Sequence, residues 1–426
     1  MNTTPIVEPD AGLADYAIIN ARLLTCAGPM FRRGAEMNDL GIISSAHVAI
    51  SAGRITSISQ GTPPRAAHVI DARGRVVMPG LVDCHTHACW AGNRLGEWEE
   101  RLNGVAYLDI LARGGGIMST VRSVRDATQT ELENQLVTRL ERAQLNGTTS
   151  IEVKSGYGLS LEAELKMLRA IAAVGRRMQM QVIPTALLGH AIDSSQADFV
   201  EQTISATLPA VRREFPGITV DAFCEKGAWS FEETRALFAA AQAGGHPCRV
   251  HADQFNDLGV IAAATSLHLR SVDHLEASTP ESLQLLASTW GSGARGVVGV
   301  GLPLCGLHMA DGRFANLKAL VANGGVCAIA TNCNPGSAPS ISMPLAIAIA
   351  VRYCGLTPQQ AIIASTVNPA SVLGLSDTGR IEVGCRADLI MLQYTDERAL
   401  AYELGGDHIK TVIANGRVQF NIEFEA

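Results

Sequence analysis

Val76-Val77-Met78-Pro79-Gly80-Leu81-Val82-Asp83-Cys84-His85-Thr86-His87 decides how this chain folds. It is an apolar run containing a turn, and it ends on imidazoles at i and i+2, positions that share one face of an extended chain. Downstream, short apolar stretches at 149–153, 180–186, 218–223, 248–251, 271–273, 295–300 and 326–330 join 76–82 as eight candidate strands. Longer segments of helical period, such as 161–174 and 231–243, lie between them. Eight βα repeats predict an α/β fold of the TIM type, a (β/α)8 barrel. An open doubly wound sheet is the rival, but the polar residues gather just past the strands, where barrel enzymes build their sites.

On either side of these repeats the style changes. Residues 46–50 and 55–58 flank Ala52-Gly53-Arg54 as a hairpin would, and 388–392 and 411–418 are again short and strand-like. The expected organisation is a small β-sandwich domain built from both chain ends, 1–75 and 383–426, around a barrel at 76–382. A chain of 426 residues supports this division, because single cores rarely grow past about 300 residues.

Composition narrows the function. With 47% hydrophobic and 18% charged residues the chain can bury a core, which excludes a disordered protein. The net charge of −7 argues against nucleic acid, whose phosphates need clustered Lys and Arg, and favours a small-molecule partner. The first residues lack a secretory pattern, and the longest apolar run, 343–351 with Pro344 inside, is too short to span a bilayer. A cytoplasmic protein without a membrane partner is expected. The ten cysteines form no Cys-x-x-Cys pair and read as reduced core residues.

His85 and His87 end the first candidate strand, His251 ends the fifth and His274 follows the sixth. Three imidazoles with one oxygen donor suit Zn²⁺ or Fe better than Mg²⁺ or Ca²⁺. An ion so held brings the pKa of water to about 7, which points to hydrolysis. The bland alternative is a set of hydrogen-bonded barrel histidines without metal. His47, His68, His246, His268, His308 and His408 lack strand-end placement and read as surface or core residues. Lys154, a candidate for a modified lysine bridging two ions, ends the second strand rather than the fourth, so one ion is expected. Cys305 has no partner base in the sequence, which speaks against a nucleophilic role.

Several segments carry a closer resemblance: Pro79-Gly80-Leu81-Val82-Asp83-Cys84-His85-Thr86-His87, Arg113-Gly114-Gly115-Gly116-Ile117-Met118-Ser119-Thr120-Val121-Arg122, Glu152-Val153-Lys154-Ser155-Gly156-Tyr157-Gly158-Leu159, His251-Ala252-Asp253-Gln254, Asp273-His274-Leu275-Glu276 and Asn334-Pro335-Gly336. From about residue 79 to 388 the chain resembles the imidazolonepropionase family of the amidohydrolase superfamily, hydrolases that open 4-imidazolone-5-propanoate to N-formimino-L-glutamate in histidine degradation. The resemblance implies metal ligands at His85, His87, His251 and Asn332, and substrate contacts at Arg94, Tyr107, Tyr157, His190, Gln254, Asn334, Gly336 and Ser337. It implies catalytic roles for His274, Gln254 and Asn332, and a homodimer. The chemistry of the residues agrees: a propionate needs a cation, and Arg94 can grip a carboxylate bidentately, although a surface salt bridge is its plainer reading. Tyr157 can donate to the ligand or simply pack, His190 can bond a ring atom, and His274 can act as electrophile or proton shuttle.

The resemblance breaks at one important position. Where the family has an aspartate that takes the water's proton, this sequence has Asn332, which offers a carbonyl oxygen but no base. Segments 88–90 and 300–309 also depart from the family pattern, and both are expected to border the substrate. Two alternatives follow. One is a related hydrolase of 3-(5-oxo-2-thioxoimidazolidin-4-yl)propionate that releases sulfide, as in thiourocanate or ergothioneine breakdown; the other is an inactive ligand-binding pseudo-enzyme.

Overall fold

The computed structural model describes residues 12–105, 109, 114–291 and 295–421. Five strands come first: β1 (Ala14–Leu24), β2 (Ile42–Ser51), β3 (Arg54–Gln60), β4 (Ala66–Asp71) and β5 (Val76–Pro79). Eight parallel strands follow in sequence order: β6 (Leu81–Asp83), β7 (Thr148–Lys154), β8 (Gln181–Gly189), β9 (Thr219–Cys224), β10 (Cys248–Ala252), β11 (Leu269–His274), β12 (Val298–Gly301) and β13 (Cys327–Ile329). The seam between β13 and β6 is joined just past their ends by a parallel bridge from Thr86 to Cys333. The expected (β/α)8 barrel is present, with helices such as Leu161–Arg177 and Phe231–Ala243 packed outside it.

The decisive stretch departs from the reading of 76–82 as one strand. It is two strands in two sheets, divided at Gly80. β5 pairs with β1 and with β14 (Leu389–Leu392), while β6 pairs with β7 and opens the barrel. The division needs glycine: a Cβ at position 80 would lie 2.1 Å from Thr149 Oγ1. With β15 (Ile409–Ala414) and β16 (Arg417–Asn421), the chain ends complete a mixed eight-stranded sheet in the order β16-β15-β14-β5-β1-β2-β3, with β4 beside β1. This is the small β-sandwich domain, and its own apolar core holds Ile18, Leu23, Val48, Ile58, Val77, Leu389 and Ile413.

Alternation along the barrel strands sorts side chains into two layers. Ile151 and Val153 of β7, Val220 and Ala222 of β9, and Val250 and Ala252 of β10 join the apolar core that includes the surrounding helices. The residues between them, Glu152, Lys154, Asp221, Arg249 and His251, are buried and paired with one another inside the barrel.

Candidate active site

The four barrel histidines converge. Ring centroids lie 4.4 Å apart for His85 and His251, 5.2 Å for His87 and His251, and 5.6 Å for His251 and His274. The His251 and His87 Nε2 atoms are 3.2 Å apart. Burial holds His85 and His87 well below the usual imidazole range, and burial also lowers His251 despite the nearby Asp221 carboxylate. The three rings are therefore neutral. Neutral His85 gives its Nδ1 proton to Asp273 Oδ2 at 2.6 Å, and His251 gives its own to Asp221 Oδ1 at 3.1 Å. Their Nε2 lone pairs then face the centre.

The donor set fits a metal ion. His85 Nε2 and Asn332 Oδ1 are both buried without any hydrogen-bond partner, an expensive state unless something else satisfies them. Carboxylate-backed imidazoles with free Nε2 lone pairs are the usual form of histidine metal ligands. Asn332 takes the left-handed conformation, φ 56°, and its N–H bonds His85 O at 3.0 Å, so the loop after β13 is tied to the ligand pair after β6.

His274 differs from the other three. It belongs to a group with His85 and His251 whose ligand atoms lie within 4.8 Å of one another, yet its Nδ1 sits 3.1 and 3.2 Å from the Glu276 oxygens. Burial would lower its pKa, but the Glu276 carboxylate and the Cys305 side chain outweigh it and raise the ring to about 10. A protonated His274 is a donor rather than a ligand. Simple alternation would place it opposite its neighbour Asp273; a φ of 95° at His274 and 73° at Leu275 turns the chain there and brings both residues to the centre.

Around this centre, Tyr157 and His190 pack against His87, with centroids at 6.0 and 4.9 Å. His190 donates Nδ1–H to Gly156 O at 2.9 Å, and burial drives its pKa down to about 3, so it stays neutral. Gly156, Gly158 and Leu159 each give an N–H to the buried Glu164 carboxylate, at 2.7–2.9 Å, which fixes the loop carrying Tyr157. Gln254 is buried and bonds Cys305 Sγ through Nε2 at 3.4 Å.

Arg94 opens onto a cavity of about 370 Å³ bounded by Trp90, Asn93, Glu97, Arg101, His308 and Gly336. Its Nε pairs with Glu97 at 2.8 Å, and its Nη1 lies over Gly336, where a Cβ would approach to 2.3 Å. Asn334 and Ser337 are used within their own loop: Asn334 Oδ1 accepts from the N–H groups of Gly336 and Ser337 at 2.8 and 2.7 Å, and its Nδ2 donates to Asn332 O at 2.7 Å. Tyr107 lies outside the described residues. Trp90 and His308 lie in the two segments, 88–90 and 300–309, expected to border the substrate, although His308 taken alone reads as a surface or core residue; Asn93, Glu97 and Arg101 were not anticipated. The buried carboxylates Asp221 and Asp273 were also missed, although a charge inside an apolar strand was a signal for each. A wider surface depression of about 620 Å³ near Phe199 and Glu201 holds none of these groups. All ten cysteines are free and buried, and no helix among the described residues is long and apolar enough to cross a membrane.

The model of the amidohydrolase family matches residues 76–418. The chain belongs to the amidohydrolase family. It is 45% identical over 386 residues to the imidazolonepropionase of Deinococcus radiodurans, covering 90% of this chain and 94% of that protein. It is 41% identical over 417 residues to the imidazolonepropionase of Chloroflexus aggregans, covering 93% and 96%. Among solved structures, 5-methylcytosine deaminase from Klebsiella pneumoniae superposes with a TM-score of 0.74 at 17% identity, covering 96% of this chain and 99% of that one. An adenosine deaminase from Xanthomonas campestris with bound zinc gives a TM-score of 0.71 at 17% identity, covering 98% and 96%. At such identities the two structures support the barrel and its small domain, and nothing finer.

Proposed function

We propose that this amidohydrolase hydrolyses 4-imidazolone-5-propanoate to N-formimino-L-glutamate, the histidine-degradation step named for its relatives. One observation carries the reading: inward-facing imidazole lone pairs with unpartnered buried acceptors lie in a chain similar along nearly its whole length to imidazolonepropionases. His85, His87, His251 and Asn332 would hold one ion, zinc or iron, which supplies Lewis acidity that makes water nucleophilic near neutral pH.

The chain's own groups do the rest. Arg94 takes the propionate through its free Nη atoms, while Glu97 fixes the guanidinium through Nε. His274, held by Glu276, donates a proton to an atom that gains negative charge as the ring C–N bond breaks. His190 and Tyr157 border the ring as neutral hydrogen-bonding groups, Gln254 and Asn332 orient without taking protons, and the proton lost by the attacking water passes to solvent, from which His274 regains its own. The enzyme works as a cytoplasmic homodimer in this reading.

The sequence also raises a second reading, which the similarity to imidazolonepropionases does not favour. The carboxylates closest to the histidines are already engaged: Asp221 and Asp273 lie behind His251 and His85, and Glu276 holds His274. In this second reading, a leaving group that departs as an anion, as sulfide does from the thioxo analogue of the same propionate, would need no proton from His274. Metal-loaded protein incubated with imidazolone and thioxoimidazolidinone propionates, with products read by mass spectrometry, tests both. Formiminoglutamate alone supports the first reading, sulfide alone the second, and neither product points to the pseudo-enzyme. An Asn332→Asp exchange that raises imidazolone turnover would mark the asparagine as a lost base; a fall would mark it as adapted.

A further inference from the structure

Under the histidines lies a chain of buried charges with no assigned task. Asp221 Oδ1 holds His251 Nδ1, and its Oδ2 lies 2.7 Å from Lys154 Nζ. Lys154 Nζ is 2.8 Å from Glu152 Oε2, and Glu152 Oε1 is 2.7 Å from Arg249 Nη1. Arg249 Nη2 reaches Asp273 Oδ2 at 2.5 Å, and Asp273 Oδ2 holds His85 Nδ1 at 2.6 Å. The side chains of these five groups are no more than 1% exposed. They come from β7, β9, β10 and β11, and Thr185 Oγ1 of β8 adds a bond to Glu152 Oε1 at 2.5 Å.

We propose that Glu152, Lys154 and Arg249 couple Asp221 to Asp273, so that His251 and His85 are positioned and polarised as one unit, with Glu152 as the centre of the link. Two independent carboxylate supports would need neither the Lys154 nor the Arg249 bridge, and burying five charges is costly unless their arrangement is used. The sum of charge points the same way. Every donor expected at the ion, three imidazoles and the Asn332 amide, is neutral, whereas three carboxylates against two cations leave the buried chain formally one negative charge. The negative charge that favours a cation therefore sits one layer below the ligands, in a poorly screened interior.

The inference rests on the metal-centre reading, and the test separates the two. Cobalt and zinc affinities are measured by chelator competition, with the visible absorption of the cobalt form as a second readout, for parent, Glu152→Gln, Asp221→Asn, Asp273→Asn and the Asp221→Asn/Asp273→Asn double variant. Glu152 touches no ligand, yet Glu152→Gln is expected to weaken binding about tenfold and shift the cobalt spectrum. The double variant is expected to lose clearly less affinity than the product of the two single losses, since one cut already opens the link. A folded Glu152→Gln protein that binds within twofold of parent, or multiplicative losses in the double variant, overturns the coupling. Failure of the parent itself to bind an ion overturns the metal-centre reading. Should Glu152→Gln not fold, Thr185→Val removes a single bond to Glu152 and carries the same test with an expected loss of two- to threefold.

Discussion

The floor of this site and its wall are built by different rules. The floor, from Glu152 to Asp273, stands on four barrel strands, and each side chain is aimed by the period-two alternation of its strand. The wall, with Arg94, Trp90, His308 and Gly336, is made by loops and short helices past the barrel strands, where direction depends on local turns and close contacts. Under the proposed function, metal geometry would come from the rigid part and substrate selection from the part that tolerates change.

Breaking the floor should be costly for metal and fold alike. His251→Ala is expected to reduce bound metal by more than tenfold, read by elemental analysis, and activity should fall with it. Arg249→Met leaves Glu152 and Asp273 buried without their shared cation. It is expected to destabilise the protein by about 3–5 kcal/mol, measured by denaturant unfolding.

Changes in the wall should act on binding instead. Removing the charge with Arg94→Met is expected to raise KM for a propionate substrate about 10- to 100-fold, matching the loss of a charged hydrogen-bonded pair worth about 1.5–3 kcal/mol. kcat should change far less, because the carboxylate is held equally before and during reaction. Gly336→Ala displaces the same guanidinium by steric contact and should raise KM by a smaller factor, about fivefold. A fall in metal content in either wall variant would erase the distinction between the two regions.

A pH slope is also expected where wall meets floor. In metal-free protein the folded His274 ring titrates near 10, above the ordinary value of about 6.5. The stability it contributes is fully present below pH 6.5 and is lost as pH rises towards 10. Thermal melts across that range should show this decline, and Glu276→Gln should flatten it by removing the carboxylate that raises the ring.

Legibility from sequence followed the same boundary. The barrel, the β-sandwich domain and the convergence of His85, His87 and His251 could be read because strand spacing carries them. Gly80 hid a change of sheet inside one apolar run, because the clash with Thr149 that demands glycine lies 69 positions away in sequence. His274 was located correctly, but not the reason: only the positive φ turns it inward beside Asp273. Glu97 and Arg101 went unrecognised because residues of the short helix Leu95–Leu102 gain a shared cavity only when the segments past the strands pack together.

The bridge from Thr86 to Cys333 has a consequence for how the protein is made. Asp83 and Thr331, bonded beside it, are separated by 248 residues of chain. A nascent polypeptide that has passed residue 251 already carries three imidazole donors, but its barrel still lacks the strand that closes the seam. In the proposed reading, an ion site that includes Asn332 forms only after the last barrel strand is made, and an ion held there would clasp the two ends of the barrel together.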